Sequence, residues 1–164
     1  MTENNSLFAF DSEQEAKRVL MAEGRRLKYI ALKIWRRYLS SYKPEAYIRT
    51  RKSQNAIKLG HVKKVGSDTL GIELTFDDNL LYHDSVISKS EPKGHSIMLI
   101  SEGWKVKRGR AKDVYRFGYF EGINYIERVK EAFESGKHKG ITLVVNWQGE
   151  EFRKQPQQKG VLKK

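Results

Sequence analysis

The chain has no cysteine, which excludes disulfide bonds, a thiolate metal site and a cysteine nucleophile. Long apolar runs are missing too. The longest, Ile97-Met98-Leu99-Ile100 and Leu143-Val144-Val145, fall far below the roughly 20 residues a membrane-spanning helix needs. The opening residues, Met1-Thr2-Glu3-Asn4-Asn5-Ser6, lack the basic segment and following apolar segment of a secretory leader. There is no internal repeat and no phosphate-binding glycine loop: Gly118 and Gly122 stand near a helix start without the required pattern. These absences predict a soluble protein made in the cytoplasm, with no membrane partner.

Acidic residues are scarce relative to basic ones. The sequence holds 32 Lys and Arg against 20 Asp and Glu, a net charge of +12. Such a field favours an acidic partner, whether nucleic acid, an anionic membrane surface or an acidic protein face; the plain alternative is a solubilising basic surface. At 164 residues the chain suits one domain with a real core. Its apolar fraction of 38%, with 13 glycines besides, is that of a folding chain. The expected organisation is a single α+β domain over residues 1–152, followed by a disordered basic tail over 153–164.

A long basic helix is predicted from Ser12 to about Ser41. Ser12 and Glu15 have the spacing of a capping box. Ala16, Leu20, Leu27, Ile30, Ala31, Ile34 and Tyr38 recur at helical spacing as its buried stripe. Gly24 weakens the middle by roughly 1 kcal/mol relative to Ala and suggests a bend or a close contact. Pro44 ends the pattern.

Strand patterns follow. Ile57, Leu59, Val62 and Val65 predict a strand irregular at Gly60-His61, and Gly66-Ser67-Asp68 a turn. Leu70, Ile72, Leu74 and Phe76 alternate with Gly71, Glu73 and Thr75, which predicts the returning antiparallel strand. Residues 77–96 are turn-rich, Ser96–Glu102 a short helix stopped by Gly103, and 105–116 an exposed basic loop. A second helix is expected from near Tyr119, with Ile123, Ile126, Val129, Ala132 and Phe133 buried and Gly136 as its stop. A final strand is expected over Ile141–Trp147. The architecture predicted is α+β: long N-terminal helix, antiparallel β-sheet, second helix packed on the sheet, final strand and basic tail.

Chemistry has few candidates. His61, His83, His95 and His138, with Glu73, Asp77, Asp78 and Asp84, show no spacing that converges on a metal. His83-Asp84, near Asp77 and Asp78, is the best cluster, but turn formation explains residues of this type. No catalytic residue, metal or cofactor is expected, and the chain is read as a non-enzyme. Lys105, Lys107, Arg108, Arg110 and Lys112 are the candidates for an assembly interface or for phosphate contacts. Trp104, Tyr115, Phe117 and Tyr119 interleave with these and neighbouring basic residues and could stack on bases; Tyr115, Phe117 and Tyr119 also alternate as a strand on the core would. No base-reading motif accompanies them.

The stretch from Pro44 to Ile57 carries a family resemblance. Pro44, Tyr47, Arg49, Thr50 and Ile57, preceded by a long helix, resemble the helix-to-sheet motif of head–tail joining and tail-completion proteins of long-tailed bacteriophages. That motif runs Pro-x-Arg-Thr-Gly-x-Leu-x-x-Ser-Ile. Arg49, Thr50 and Ile57 match it in spacing and Pro44 with Tyr47 matches a Gram-positive phage form of it, whereas Arg51, Ser53 and Ala56 stand where Gly, Leu and Ser are usual. The resemblance implies a virion structural protein, synthesised in the host cytoplasm, that joins the head connector to the tail tube. It further implies a homo-oligomeric ring, a hexamer by analogy, contacting neighbouring connector and tail proteins. The 77–96 and 103–116 loops are the expected contact segments, and their basic character suits acidic faces on adjacent rings or non-specific contact with DNA. The alternative is a basic, non-specific nucleic-acid-binding protein.

Overall fold

The computed structural model describes residues 10–41, 52–83, 94–105 and 119–146. The fold is α+β, with one long helix around which short antiparallel ladders and two further helices are arranged.

Helix α1 spans Glu13–Ser40. Ser12 begins it in extended backbone, and its hydroxyl accepts from the Glu15 N–H at 3.1 Å. The Glu15 carboxylate reaches back to the Asp11 N–H at 3.0 Å. The reciprocal cap anticipated for Ser12 and Glu15 is therefore made one residue further out. Ala31 is buried as expected, whereas Ala16, Leu20, Leu27, Ile30, Ile34 and Tyr38 are half-buried. The deepest positions are Gly24, Ala31, Trp35 and Leu39.

After a 3₁₀ turn over Lys52–Ala56, one hairpin runs out and back in two halves. Strand β1 (Ile57–Leu59) pairs antiparallel with β4 (Leu74–Phe76), Ile57 opposite Phe76. Strand β2 (Lys63–Lys64) pairs with β3 (Leu70–Gly71), Lys63 opposite Gly71. Between the halves, Gly60 N–H donates to the Glu73 carbonyl at 2.8 Å. The irregularity expected at Gly60-His61 thus interrupts both strands, and the turn closes with Val65 N–H on the Thr69 carbonyl. Leu70, Ile72, Leu74 and Phe76 are half-buried while Glu73 and Thr75 are exposed, so the alternation holds through the break.

Gly24 is where α1 meets this hairpin. A Cβ there would lie 2.9 Å from Ile72 Cδ1 and 3.1 Å from Leu59 Cδ1. The glycine expected to give a bend or close contact lets the strands approach the helix backbone.

A 3₁₀ turn over Asp78–Leu80, capped by the Asp77 side chain, leads to β5 (Tyr82–His83), which pairs with β6 (Gly94–His95). Helix α2 (Ser96–Glu102) follows as predicted. It stops at Gly103, whose φ of 80° is the left-handed conformation glycine adopts most readily. Strand β7 (Gly103–Lys105) pairs with β8 (Tyr119–Glu121), and helix α3 covers Tyr125–Glu134.

Two expectations change here. Residues 119–121 are strand rather than the start of the second helix, because they pair with 103–105 and the chain must then turn. Asn124, at φ 50°, makes that turn, a conformation Asn tolerates better than most residues. Ile141–Asn146 pairs with no strand among the described residues. Ile141 is buried, but Val144 is 84% exposed, so the segment is anchored at one end without a ladder. The tail over 153–164 and the basic segment over 106–118 lie outside the described residues.

The core gathers Ala31, Trp35 and Leu39 of α1 with Ala56, Ile57, Leu81, Ile97, Tyr125 and Val129. Helix α3 lies against α1 and α2. At its start Tyr125 reaches the hairpin, edge-on to Phe76 at 6.4 Å and to Trp35 at 5.5 Å. Its hydroxyl donates to the Ala31 carbonyl at 2.9 Å. Arg26 clamps the far end of α3, donating to the Phe133 carbonyl at 2.7 Å with its guanidinium over the Phe133 ring. No helix among the described residues is long and apolar enough to cross a membrane.

Candidate functional site: a basic groove beside the long helix

Helical spacing sets Lys28, Leu32 and Arg36 in a row on α1, four residues apart. The 3₁₀ turn and β1 run past them, bringing Gln54, Asn55, Ile57 and Lys58 to the other side. The result is an open groove of about 400 Å³ lined by these seven residues. Three of them are cationic, two are amides, and none is a carboxylate.

The groove wall is held by specific bonds. Buried Trp35 donates its indole N–H to Ser53 Oγ at 3.1 Å, tying the 3₁₀ turn to α1. One residue on, Arg36 Nε donates to Gln54 Oε1 at 3.1 Å. That bond fixes the guanidinium at the groove edge and leaves its remaining N–H groups for another acceptor. Ile57 forms the floor and is 2% exposed.

The described surroundings of the groove are positive. From Gly24 to Ser41 the helix carries Arg25, Arg26, Lys28, Lys33, Arg36 and Arg37 and no acid. Arg26 is paired with Glu23 at 3.0 Å. Glu13, near the start of the helix, is engaged far from the groove. Lys17 lies 2.6 Å from Glu13, and that contact first, with Lys64 also near, holds the Glu13 carboxyl below its ordinary value.

Other residues singled out in the sequence are placed as follows. Of the phage-like motif, Ile57 opens β1 and is buried; Pro44, Tyr47, Arg49 and Thr50 lie outside the described residues. Ser53, where that motif usually has Leu, is buried and accepts the Trp35 bond. Lys105 ends β7 opposite Tyr119, and Lys107, Arg108, Arg110 and Lys112 lie outside the described residues.

The histidines are placed as follows. His61 is exposed, and His138 stacks on Phe10 at 5.3 Å and accepts from the Gly140 N–H. His83 stands opposite Gly94 and His95 opposite Tyr82 in the β5–β6 ladder; Asp84 is outside the described residues. Asp77 caps its 3₁₀ turn by accepting from Asn79 N–H, and Glu73 pairs with Lys63 at 2.8 Å. Among the described residues no three His, Asp or Glu side chains gather where they could hold a metal.

Gly122, considered only as a possible phosphate-loop residue, has a packing role. A Cβ on it would overlap the Ser101 carbonyl oxygen and come within 2.6 Å of Gly103 N. Gln54 and Lys58 were not among the sequence candidates. The available signal was their position directly after the Arg49-Thr50 motif, and what makes them a site is their proximity to Lys28 and Arg36. Compared with known proteins, the chain matches no family model, no curated protein and no solved structure.

Proposed function

We propose that the chain is a structural subunit of the head–tail junction of a long-tailed bacteriophage, a tail-completion or neck-ring protein joining the head connector to the tail tube. The observation that carries this reading is the Pro44–Ile57 stretch, in which Arg49, Thr50 and Ile57 stand at the spacing of that family's motif. Its context supports the reading. A 28-residue helix precedes it, and Ile57 at its end seats in the core as the first residue of an antiparallel hairpin. The resemblance is an analogy of sequence pattern and element order, and function is drawn from it on that footing.

The work of such a subunit is assembly. Copies associate into a ring, six by analogy, and the ring docks on connector and tail proteins in the virion. The 77–96 and 103–116 segments, including Lys105, Lys107, Arg108, Arg110 and Lys112, are the proposed docking segments, because a row of basic side chains suits the acidic faces of neighbouring proteins.

The test is complementation of a phage lacking this coding sequence, with particles counted by electron microscopy. Without the protein, filled heads and separate tails should accumulate; joined particles in its absence would refute the reading. Lys107, Arg108 and Arg110 changed together to Glu should lower the joined fraction, because like charges then face the acidic docking surface. His83→Ala with Asp84→Ala should leave joining intact. Loss of joining by that pair in a folded protein would instead favour an enzyme.

A further inference from the structure

We propose that the groove between α1 and the 3₁₀–β1 segment binds the phosphate backbone of nucleic acid without reading its sequence. This goes beyond the assembly reading and stands independently of it, because it rests on the groove alone.

The lining makes the case first. Lys28, Arg36 and Lys58 converge with the Gln54 and Asn55 amides, and among the described residues no carboxylate lines the groove. Cations and neutral amide donors are the side chains that hold phosphate oxygens. Arg36 is already oriented by Gln54 at 3.1 Å, so less side-chain freedom is lost when it binds.

Length agrees. Lys28 and Arg36 are eight residues apart on α1, about 12 Å along the axis. A duplex strand presents one phosphate per about 3.4 Å of axis, so the groove can face several phosphates at once. Arg25, Lys33 and Arg37 continue the positive field on the exposed face, where no acid follows Glu23 on the helix.

The partner is nucleic acid rather than an acidic protein face, for two reasons. Protein interfaces are anchored by apolar or aromatic side chains buried in a central pocket. The apolar residues here are Leu32, half-buried, and Ile57, which is 2% exposed, so the groove offers little apolar area to cover. The large hydrophobic residue left exposed on this helix is Tyr29, at 63%, with Lys33 Nζ 6.0 Å from its ring centre. An aromatic beside cations is the arrangement on which bases stack in single-strand binders.

The experiment uses the full chain and fluorescently labelled duplex and single-stranded oligonucleotides of unrelated sequence, titrated between 50 and 200 mM salt by anisotropy. The groove variant is Lys28→Gln, Arg36→Gln and Lys58→Gln together. The control variant, Lys63→Gln, Lys64→Gln and Lys137→Gln, changes net charge equally at residues that pair with acids elsewhere. Circular dichroism checks both folds. Three phosphate contacts contribute about −2.7 to the slope of log affinity against log salt on a duplex. The wild type should therefore lose about 40-fold more affinity than the groove variant across that range. The control should follow the wild type. Should the triple variant fail to fold, Lys58→Gln alone should reduce the slope by about 0.9. An unchanged slope, an equal loss in the control, strong sequence preference or no binding to either oligonucleotide would overturn the assignment. So would groove-dependent binding of polyglutamate without binding of DNA, which would name an acidic protein instead.

Discussion

The bond between Trp35 and Ser53 offers the sharpest test of how α1 is joined to the hairpin. Ser53 is 9% exposed and Trp35 is 1% exposed, so water cannot easily replace the hydroxyl as acceptor for the indole N–H. Ser53→Ala should strand that donor, at a cost of about 1–3 kcal/mol. Trp35→Phe removes the donor and some ring volume. Its stacking on Tyr38 at 5.8 Å and its edge contact with Tyr125 can be kept only in part, so about 1–3 kcal/mol is expected from the emptied space alone. The two changes address one interaction and should not add. The loss in the double variant should fall short of the sum of the two single losses by about 1 kcal/mol, within the range found for contacting pairs. Urea denaturation of the wild type, both single variants and the double variant closes the cycle. A loss of about 2 kcal/mol should also lower the thermal midpoint by about 4–8 °C for a chain of this size. If Ser53→Ala costs less than about 0.5 kcal/mol, or if the two changes are strictly additive, the bond does not join the two elements as argued.

Two further substitutions follow from the core. Gly122→Ala should destabilise by about 3 kcal/mol or more, read from the urea midpoint, because the new methyl would meet the Ser101–Gly103 backbone rather than a movable side-chain end; a near-neutral result would refute the close approach. Tyr125→Phe should cost about 1 kcal/mol, since the Ala31 carbonyl sits within α1 and keeps a helical acceptor role after the hydroxyl is gone. The same residue gives a pH signature. Burial raises the Tyr125 pKa, so its contribution to stability is complete below the unfolded value near 10 and is lost as the pH rises toward the folded one. Denaturation midpoints measured above pH 10 should fall more steeply for the wild type than for Tyr125→Phe, and parallel curves would contradict the burial.

Much of the local structure was legible because short-range chemistry writes it. Ser12 and Glu15 marked the start of α1, the alternation from Leu70 to Phe76 marked the returning strand, and Gly103 marked the end of α2. Each depends on groups within a few residues, where hydrogen-bond and steric preferences act without the rest of the fold. The α+β class follows from the same signals.

Other features depended on neighbours distant in sequence. Trp35 and Leu39 share the helical register of Ala31, yet only the hairpin against Gly24 and the 3₁₀ turn against Trp35 make that flank deepest. Tyr119–Glu121 could continue toward a helix until Gly103–Lys105 supplied a strand edge to pair with. Ile141–Asn146 has the apolar content of a strand and lacks the partner among the described residues, because a strand is stabilised by its cross-strand pairs rather than by propensity alone. The basic groove belongs to this second kind. Lys28 and Arg36 could be read from the sequence as members of a charged helix, but Gln54, Asn55 and Lys58 become part of one site with them only when the chain turns back after α1. A sequence states which charges exist; the field they make together depends on distances that the fold alone sets.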